Sequence, residues 1–263
     1  MGVVNEKQKT QRLGEEKYNY QGCLMKIIEY NKASDIVVEF QDDYKYRVKT
    51  RYDHFKDGSV KNRYGAGVQN YGISGNKYKL TNEDGSMTKE YQLWCGMIRR
   101  TTNESYKEKN PWYKDVTCCP EWLCYDNFYE WMHNEPNFDT WNNLDQGAVD
   151  KDIICKGNKC YDPAHCVLVP QRINSMMTNR RGDRGLYPIG VHKQENKFIS
   201  TCCDGNANQV YLGIYDAPED AFYAYKEYKE KVIKRVADEE YNAGNITKRC
   251  RDALYAYEVE ITD

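Results

Sequence analysis

The chain has 263 residues, enough to bury a sound core in roughly one to three small domains. Its formal net charge of −2 excludes a global attraction to nucleic acid, so any such binding must come from local basic patches. No apolar run reaches the length of a membrane span or a secretion signal, so a soluble, cytoplasmic protein with no membrane partner is expected. In that setting the eleven cysteines read as reduced thiols rather than a disulfide framework.

Residues 1–18 are polar and charged and are expected to form a flexible arm. Residues 19–87 read as a small basic β domain. Met25–Tyr30 and Ile36–Phe40 are strand-like and flank a turn at Asn31–Asp35. The run Tyr44–Tyr52 alternates strictly, which puts Lys45, Arg47, Lys49 and Arg51 on one face of a strand and Tyr44, Tyr46, Val48 and Tyr52 on the other. Four cations in a row along a strand are candidates for tracking a phosphate backbone; an ordinary solvated face is the alternative. Residues 56–87 are rich in glycine and read as hairpins or a linker.

A helix is expected from Thr88 to about Asn103, with Leu93, Trp94, Met97 and Ile98 on one face. A second is expected from Pro120 to His133, burying Trp122, Phe128 and Trp131. Cys118, Cys119, Cys124, Cys155, Cys160 and Cys166 are irregularly spaced and contain no Cys-x-x-Cys pair, which argues against zinc. Arg172, Arg180, Arg181 and Arg184 form the strongest basic cluster and are candidates for gripping phosphates.

The C-terminal part reads β-β-β-α. Strands are expected at Gly190–His192, Lys197–Cys202 and Tyr211–Tyr215, with turns at Gln194–Asn196 and Asp204–Asn206. A helix should follow to about Ala237, with Asp216 as its cap and Glu219 three residues on, and with Ala221, Ala224, Tyr225 and Tyr228 facing the sheet. Lys193 and Lys197 are among the few basic residues of that sheet. The tail has a helical start near Asn245 and an extended end at Tyr257–Ile261 that would add a strand.

Two stretches carry a resemblance. Asp150-Lys151-Asp152-Ile153-Ile154, Gly157-Asn158, Pro163-Ala164-His165-Cys166 and Gln171-Arg172-Ile173-Asn174 resemble the His-Asn-His (HNH), or ββα-metal, nuclease module. Lys151 and His165 are 14 residues apart, His165 and Asn174 are 9 apart, and Asp150 and Asn174 are 24 apart, intervals that match that module. Downstream, Gly190-Val191, Lys197-Phe198, Tyr211–Tyr215 and Pro218–Tyr225 resemble the Apetala/ethylene-response-factor (ERF) DNA-binding domain. Together they are similar to phage and mobile-element HNH endonucleases of the homing type over roughly residues 85–260.

The resemblance implies an α+β chain: the small N-terminal β domain, a central HNH-like ββα-metal module with preceding helices over 88–184, and an Apetala/ERF-like three-stranded sheet plus helix with an extension over 185–263. It implies Mg²⁺ or Mn²⁺ held by the oxygens of Asp150 and Asn174, Lys151 or His165 as the proton-transfer group, and double-stranded DNA as partner. In this family a histidine acts as the base where Lys151 stands. An amine with a pKa near ~10.4 is a poor base, so hydrolysis should be slow or absent. The other reading is a catalytically inactive, nuclease-derived binder, either a DNA-binding regulator or, if phage-encoded and at work in the bacterial cytoplasm, an inhibitor of a host defence protein. A blander third is an interaction protein that binds no nucleic acid.

Overall fold

The computed structural model describes residues 6–178 and 186–263, so Arg180, Arg181 and Arg184 lie outside the described residues. The protein is α+β, with small antiparallel sheets and helices. It divides into two compact units, Met1–Lys114 with Cys118–Tyr129, and Asp115–Thr117 with Glu130–Asp263. Among the described residues no helix is long and apolar enough to cross a membrane.

The first unit begins with α1 (Glu6–Arg12) and β1 (Glu16–Tyr18), where a flexible arm was expected. β1 pairs with β2 (Leu24–Lys32), which pairs with β3 (Asp35–Phe40), and β3 with β4 (Arg47–Thr50), in a four-stranded meander. Alternation in β3 is that of a half-buried strand: Ile36, Val38 and Phe40 are sealed in the core with Met25, Ile27 and Phe55. The long strand expected over Tyr44–Tyr52 is cut at both ends. Lys45 adopts a left-handed φ of 48° in a turn where Asp42 accepts its N–H, and Tyr52–Asp57 form a helix, α2. Only Arg47 and Lys49 therefore share an exposed strand face.

α3 (Lys89–Thr102) matches its expected span, and the Thr88 hydroxyl accepts the Tyr91 N–H as its N-cap. It buries Trp94, Met97 and Ile98, and the Trp94 indole donates to the Trp122 carbonyl at 2.8 Å. α4 (Glu104–Lys109) and a 3₁₀ turn at Pro111–Tyr113 follow. After β5 (Thr117–Cys118), the expected helix from Pro120 is a 3₁₀ turn, Pro120–Leu123, and then α5 (Tyr125–Asn134). Trp122 and Phe128 are buried as expected, whereas Trp131 is only half-buried.

The second unit carries the segment of interest. α6 (Phe138–Asn142) leads to β6 (Gly147–Asp150), and a 16-residue excursion that includes the short β7 (Cys160–Tyr161) returns through β8 (Val167–Pro170). β6 and β8 pair antiparallel from Gly147↔Pro170 to Asp150↔Val167. α7 (Gln171–Met177) starts directly after β8 and packs against both strands, with Ile173 fully buried. Then come β9 (Val191–Gln194), β10 (Lys197–Cys203) and β11 (Gln209–Tyr215), a meander with β10 at its centre. The long α8 (Pro218–Asn242) lies on that sheet. Its N-cap is Ala217, not Asp216, whose carboxylate is taken by Lys197. It also runs past the expected end at Ala237, because Val236, Ala237 and Glu240 are still buried.

α9 (Lys248–Tyr255) is capped by the Thr247 hydroxyl. The tail adds no strand. Val259 is instead buried against α8, with its N–H donated to Glu230 and its carbonyl accepting from Lys226. Ala148, Val167, Val169 and Ile173 of the hairpin and α7 form one core with Cys202 of the sheet, Phe222, Val232 and Val236 of α8, and Cys250 and Leu254 of α9. The hairpin–helix segment and the C-terminal sheet and helix are thus one folded body.

Trp141 sets the position of the hairpin. Its ring is fully buried and its indole N–H donates to the Val169 carbonyl at 3.0 Å. A Cβ on Gly147 would lie 2.5 Å from that ring, so glycine is required there by close approach and not by its φ. Gly147→Ala should lower stability by about 1–3 kcal/mol through overpacking, read as a fall in thermal midpoint. An unchanged midpoint would mean that strand and ring have room to part.

Candidate functional site

Asp150 is the last residue of β6 and is almost fully buried. The chain turns tightly around it, with its Oδ1 accepting the N–H groups of Asp152 and Ile153, both at 2.9 Å. Burial, and then the neighbouring Asp152 carboxylate, push its carboxyl up to about 6 despite those two bonds. The surroundings are otherwise weakly polar. The thiols of Cys166 and Cys250 are both fully buried and are raised by burial, Cys250 to about 12.

Lys151 leaves β6 on the other side of Asp150 and is buried too. Its Nζ donates to the Asn158 carbonyl and to Asp152 Oδ2, each at 2.9 Å. Asn158 answers by donating its amide to the carbonyls of Lys151 at 2.7 Å and Cys160 at 2.6 Å. This reciprocal pair closes the loop between β6 and β7. An ammonium that donates to a carboxylate and a carbonyl has no lone pair to offer, so Lys151 as placed is a structural cation and not a base.

His165 sits at the end of the same excursion. Asp162 Oδ1 accepts the N–H groups of Ala164 and His165, at 2.8 and 2.9 Å, and both carboxylate oxygens lie 2.9 Å from His165 Nδ1. Burial raises the Asp162 carboxyl, but the bonds from the His165 side chain and backbone outweigh it and hold it below its usual value. A carboxylate that takes the Nδ1 proton orients the ring and leaves Nε2 to accept, which is the arrangement of a base with its orienting group. The side chain is 40% exposed. Sequence reasoning missed Asp152, Asp162 and the double role of Asn158. The signal for Asp162 was present as Asp-Pro-Ala-His, a turn that returns residue three onto residue zero.

Asn174 lies one turn into α7 and is half-buried. Arg172 points elsewhere. Its Nε donates to the Gly205 carbonyl at 2.7 Å, Nη1 to Glu240 at 3.1 Å, and Nη2 to Asn206 and Glu239 at 2.8 Å. Gly205 has φ +80°, and a Cβ there would approach Val236 to 2.8 Å, so the turn that receives Arg172 is itself fitted to α8. With its fork fully engaged, Arg172 is a tether between α7, that turn and α8, not a free phosphate clamp.

Three of the N-terminal cations are paired on the surface: Arg47 with Glu39 at 2.8 Å, Lys49 with Asp35 at 3.0 Å and Arg51 with Asp53 at 2.7 Å. In the C-terminal sheet, Lys197 pairs in register with Gln194, and Lys193 with Phe198. Period two therefore puts Lys193 and Lys197 on opposite faces, and they do not address one groove together. The face that carries Lys197 also holds His192, Ile199 and Ile214 in one row and Thr201 with Tyr211 in the next, with Tyr211 and Ile214 more than half exposed. It is an aromatic and aliphatic surface, poor in cations.

Among the described residues there is no group of three or more His, Cys, Asp or Glu side chains arranged to hold a metal, and the cysteines are free thiols. Compared with protein-family models, curated proteins and solved structures, the chain shows no significant match.

The carboxyl of Asp150 has a consequence for stability. Its folded pKa of about 6 exceeds the ordinary carboxylate value, so the folded state binds the proton more tightly. Stability must fall as pH rises through that interval and stay lower above it, by about 3 kcal/mol at most. Asn at this position keeps the oxygen that caps the turn and removes the charge. Asp150→Asn should therefore be more stable than the parent by about 1–3 kcal/mol at pH ~7.5, with the gap closing toward pH ~4. Urea denaturation at the two pH values checks this, and a gap independent of pH would refute the burial cost.

Proposed function

We propose that this chain is a DNA-binding protein on the ββα-metal nuclease plan, in which phosphodiester hydrolysis has become slow. The observation that carries the reading is the hairpin–helix geometry. β6 delivers Asp150 at its exit, β8 returns antiparallel, and α7, bearing Asn174, packs back across both strands. That is the arrangement the module requires, at the intervals noted in the sequence.

A hard cation of low protein coordination belongs to this reading. Asp150 is a buried carboxylate with a second carboxylate, Asp152, beside it, an excess of negative charge that a divalent ion neutralises. Mg²⁺ needs only one or two protein oxygens because it keeps several waters, so a larger ligand cluster is not required. Asp150 and Asn174 would hold it, and the ion would supply charge neutralisation at a phosphate. Proton transfer then falls to His165, held by Asp162, because Lys151 is closed into the loop. The exposed pairs of Arg47, Lys49 and Arg51 are each worth little, so a phosphate can take the place of their carboxylates.

Purified protein with Mg²⁺ or Mn²⁺ should nick supercoiled plasmid slowly, Asp150→Ala should abolish this, and Lys151→His should raise it by about 10²-fold or more. A folded Lys151→His protein that leaves plasmid intact with either ion would overturn the reading. The locked geometry of Lys151 favours a second one, a binder without catalysis. It is distinguished by a silent parent chain whose Lys151→His variant nicks.

A further inference from the structure

The second unit contains a cavity of about 690 Å³, within the range of roughly 300–1,000 Å³ typical of small-molecule sites. Its walls are mostly apolar: Met176 and Met177 from α7, Tyr225 and Ile233 from α8, Ile189, and Val259 from the tail. One cation, Lys229 of α8, faces into it, with its Nζ donating to the Met176 carbonyl at 2.7 Å. The other charged groups of the lining are satisfied within the protein, Arg172 by Glu239 and Glu240, and Asp263 by Lys156. Among the described residues no carboxylate pairs with Lys229.

Lys229 is half-buried, and a cation partly withdrawn from water with no carboxylate partner is costly; an apolar cavity beside it leaves space for one. We propose that this cavity binds a small aromatic or aliphatic carboxylic acid, with the acid group on Lys229 and the apolar part between α7, α8 and the tail. Burial also lowers the affinity of Lys229 for its own proton, as expected of an ammonium that lacks an anionic partner. A second cavity, lined by Arg63 and residues 79–83, has Leu80 as its one aliphatic lining residue. This inference is independent of any DNA-cutting role.

The test uses the full chain and three matched probes, phenylbutyrate, phenylbutanol and phenylbutylamine, followed by calorimetry and by NMR of the methionine and isoleucine methyls. Phenylbutyrate should bind at least about tenfold more tightly than the alcohol, with the amine weakest, because a charge-assisted bond forms only with the acid. Its addition should shift the methyls of Met176, Met177 and Ile233. Lys229→Met should lose the preference for the acid while keeping the alcohol. Equal affinity for acid and alcohol, no binding of any probe at millimolar concentration, or a preference retained in Lys229→Met would each overturn the proposal. If Lys229→Met does not fold, the parent's acid-over-alcohol ratio and the three methyl shifts decide it.

Discussion

The arrangement of the second unit depends on one buried core that is shared by a short hairpin and a long helix. A two-stranded hairpin of four residues a side has too little apolar surface to hold itself together in water. Here β6 and β8 owe their order to what lies behind them: Trp141 on one side, and Ile173 with the α8 residues Val232 and Val236 on the other. Arg172 adds a directional tie, joining α7 to the 204–206 turn and to the acidic pair on α8. Removing any of these supports would displace Asp150, since the end of β6 and the turn its Oδ1 caps with the Asp152 and Ile153 N–H groups both rest on them.

Two kinds of polar group meet at that exit. Lys151 and Asn158 are tied off by bonds that close the excursion between the strands and serve the fold, whereas Asp162 both caps its turn and holds the His165 ring. Asp150 also caps a turn, yet burial beside Asp152 makes its charge unfavourable, and an amide would cap equally well without that cost. Groups that oppose stability concentrate at sites of function. That contrast is what singles out Asp150 as the candidate among its neighbours.

Much of the fold was legible in the sequence. α3, with its Thr88 cap, and the β9–β11 meander with its following helix were marked by periodicity and turn residues that act locally. The misses share a physical cause, namely that tertiary context overrode a local pattern. Tyr44–Tyr52 alternates as a strand should, but a left-handed Lys45 and helix α2 confine the strand to four residues. Tyr257–Ile261 reads as extended, yet Val259 is buried and its backbone N–H and carbonyl are taken by the α8 side chains Glu230 and Lys226 instead of by a strand. At the candidate site, spacing pointed to Asp150, His165 and Asn174, but the side-chain pairing around them was invisible. Nothing in the sequence tells that Lys151 turns to Asp152, or that the fork of Arg172 faces inward to Glu239 and Glu240.

Among the described residues, Arg47, Lys49 and Arg51 are held in surface ion pairs that a phosphate can exchange, so the proposal that the chain binds duplex DNA is open to a direct measurement. It is the affinity of the full chain for duplex DNA as a function of salt. Each phosphate engaged should contribute a slope of about −0.9 in log affinity against log salt. Binding at low salt is expected with a slope of about −2 to −4, the contribution of a small number of engaged phosphates. No binding at the lowest salt, or an affinity indifferent to salt, would contradict it.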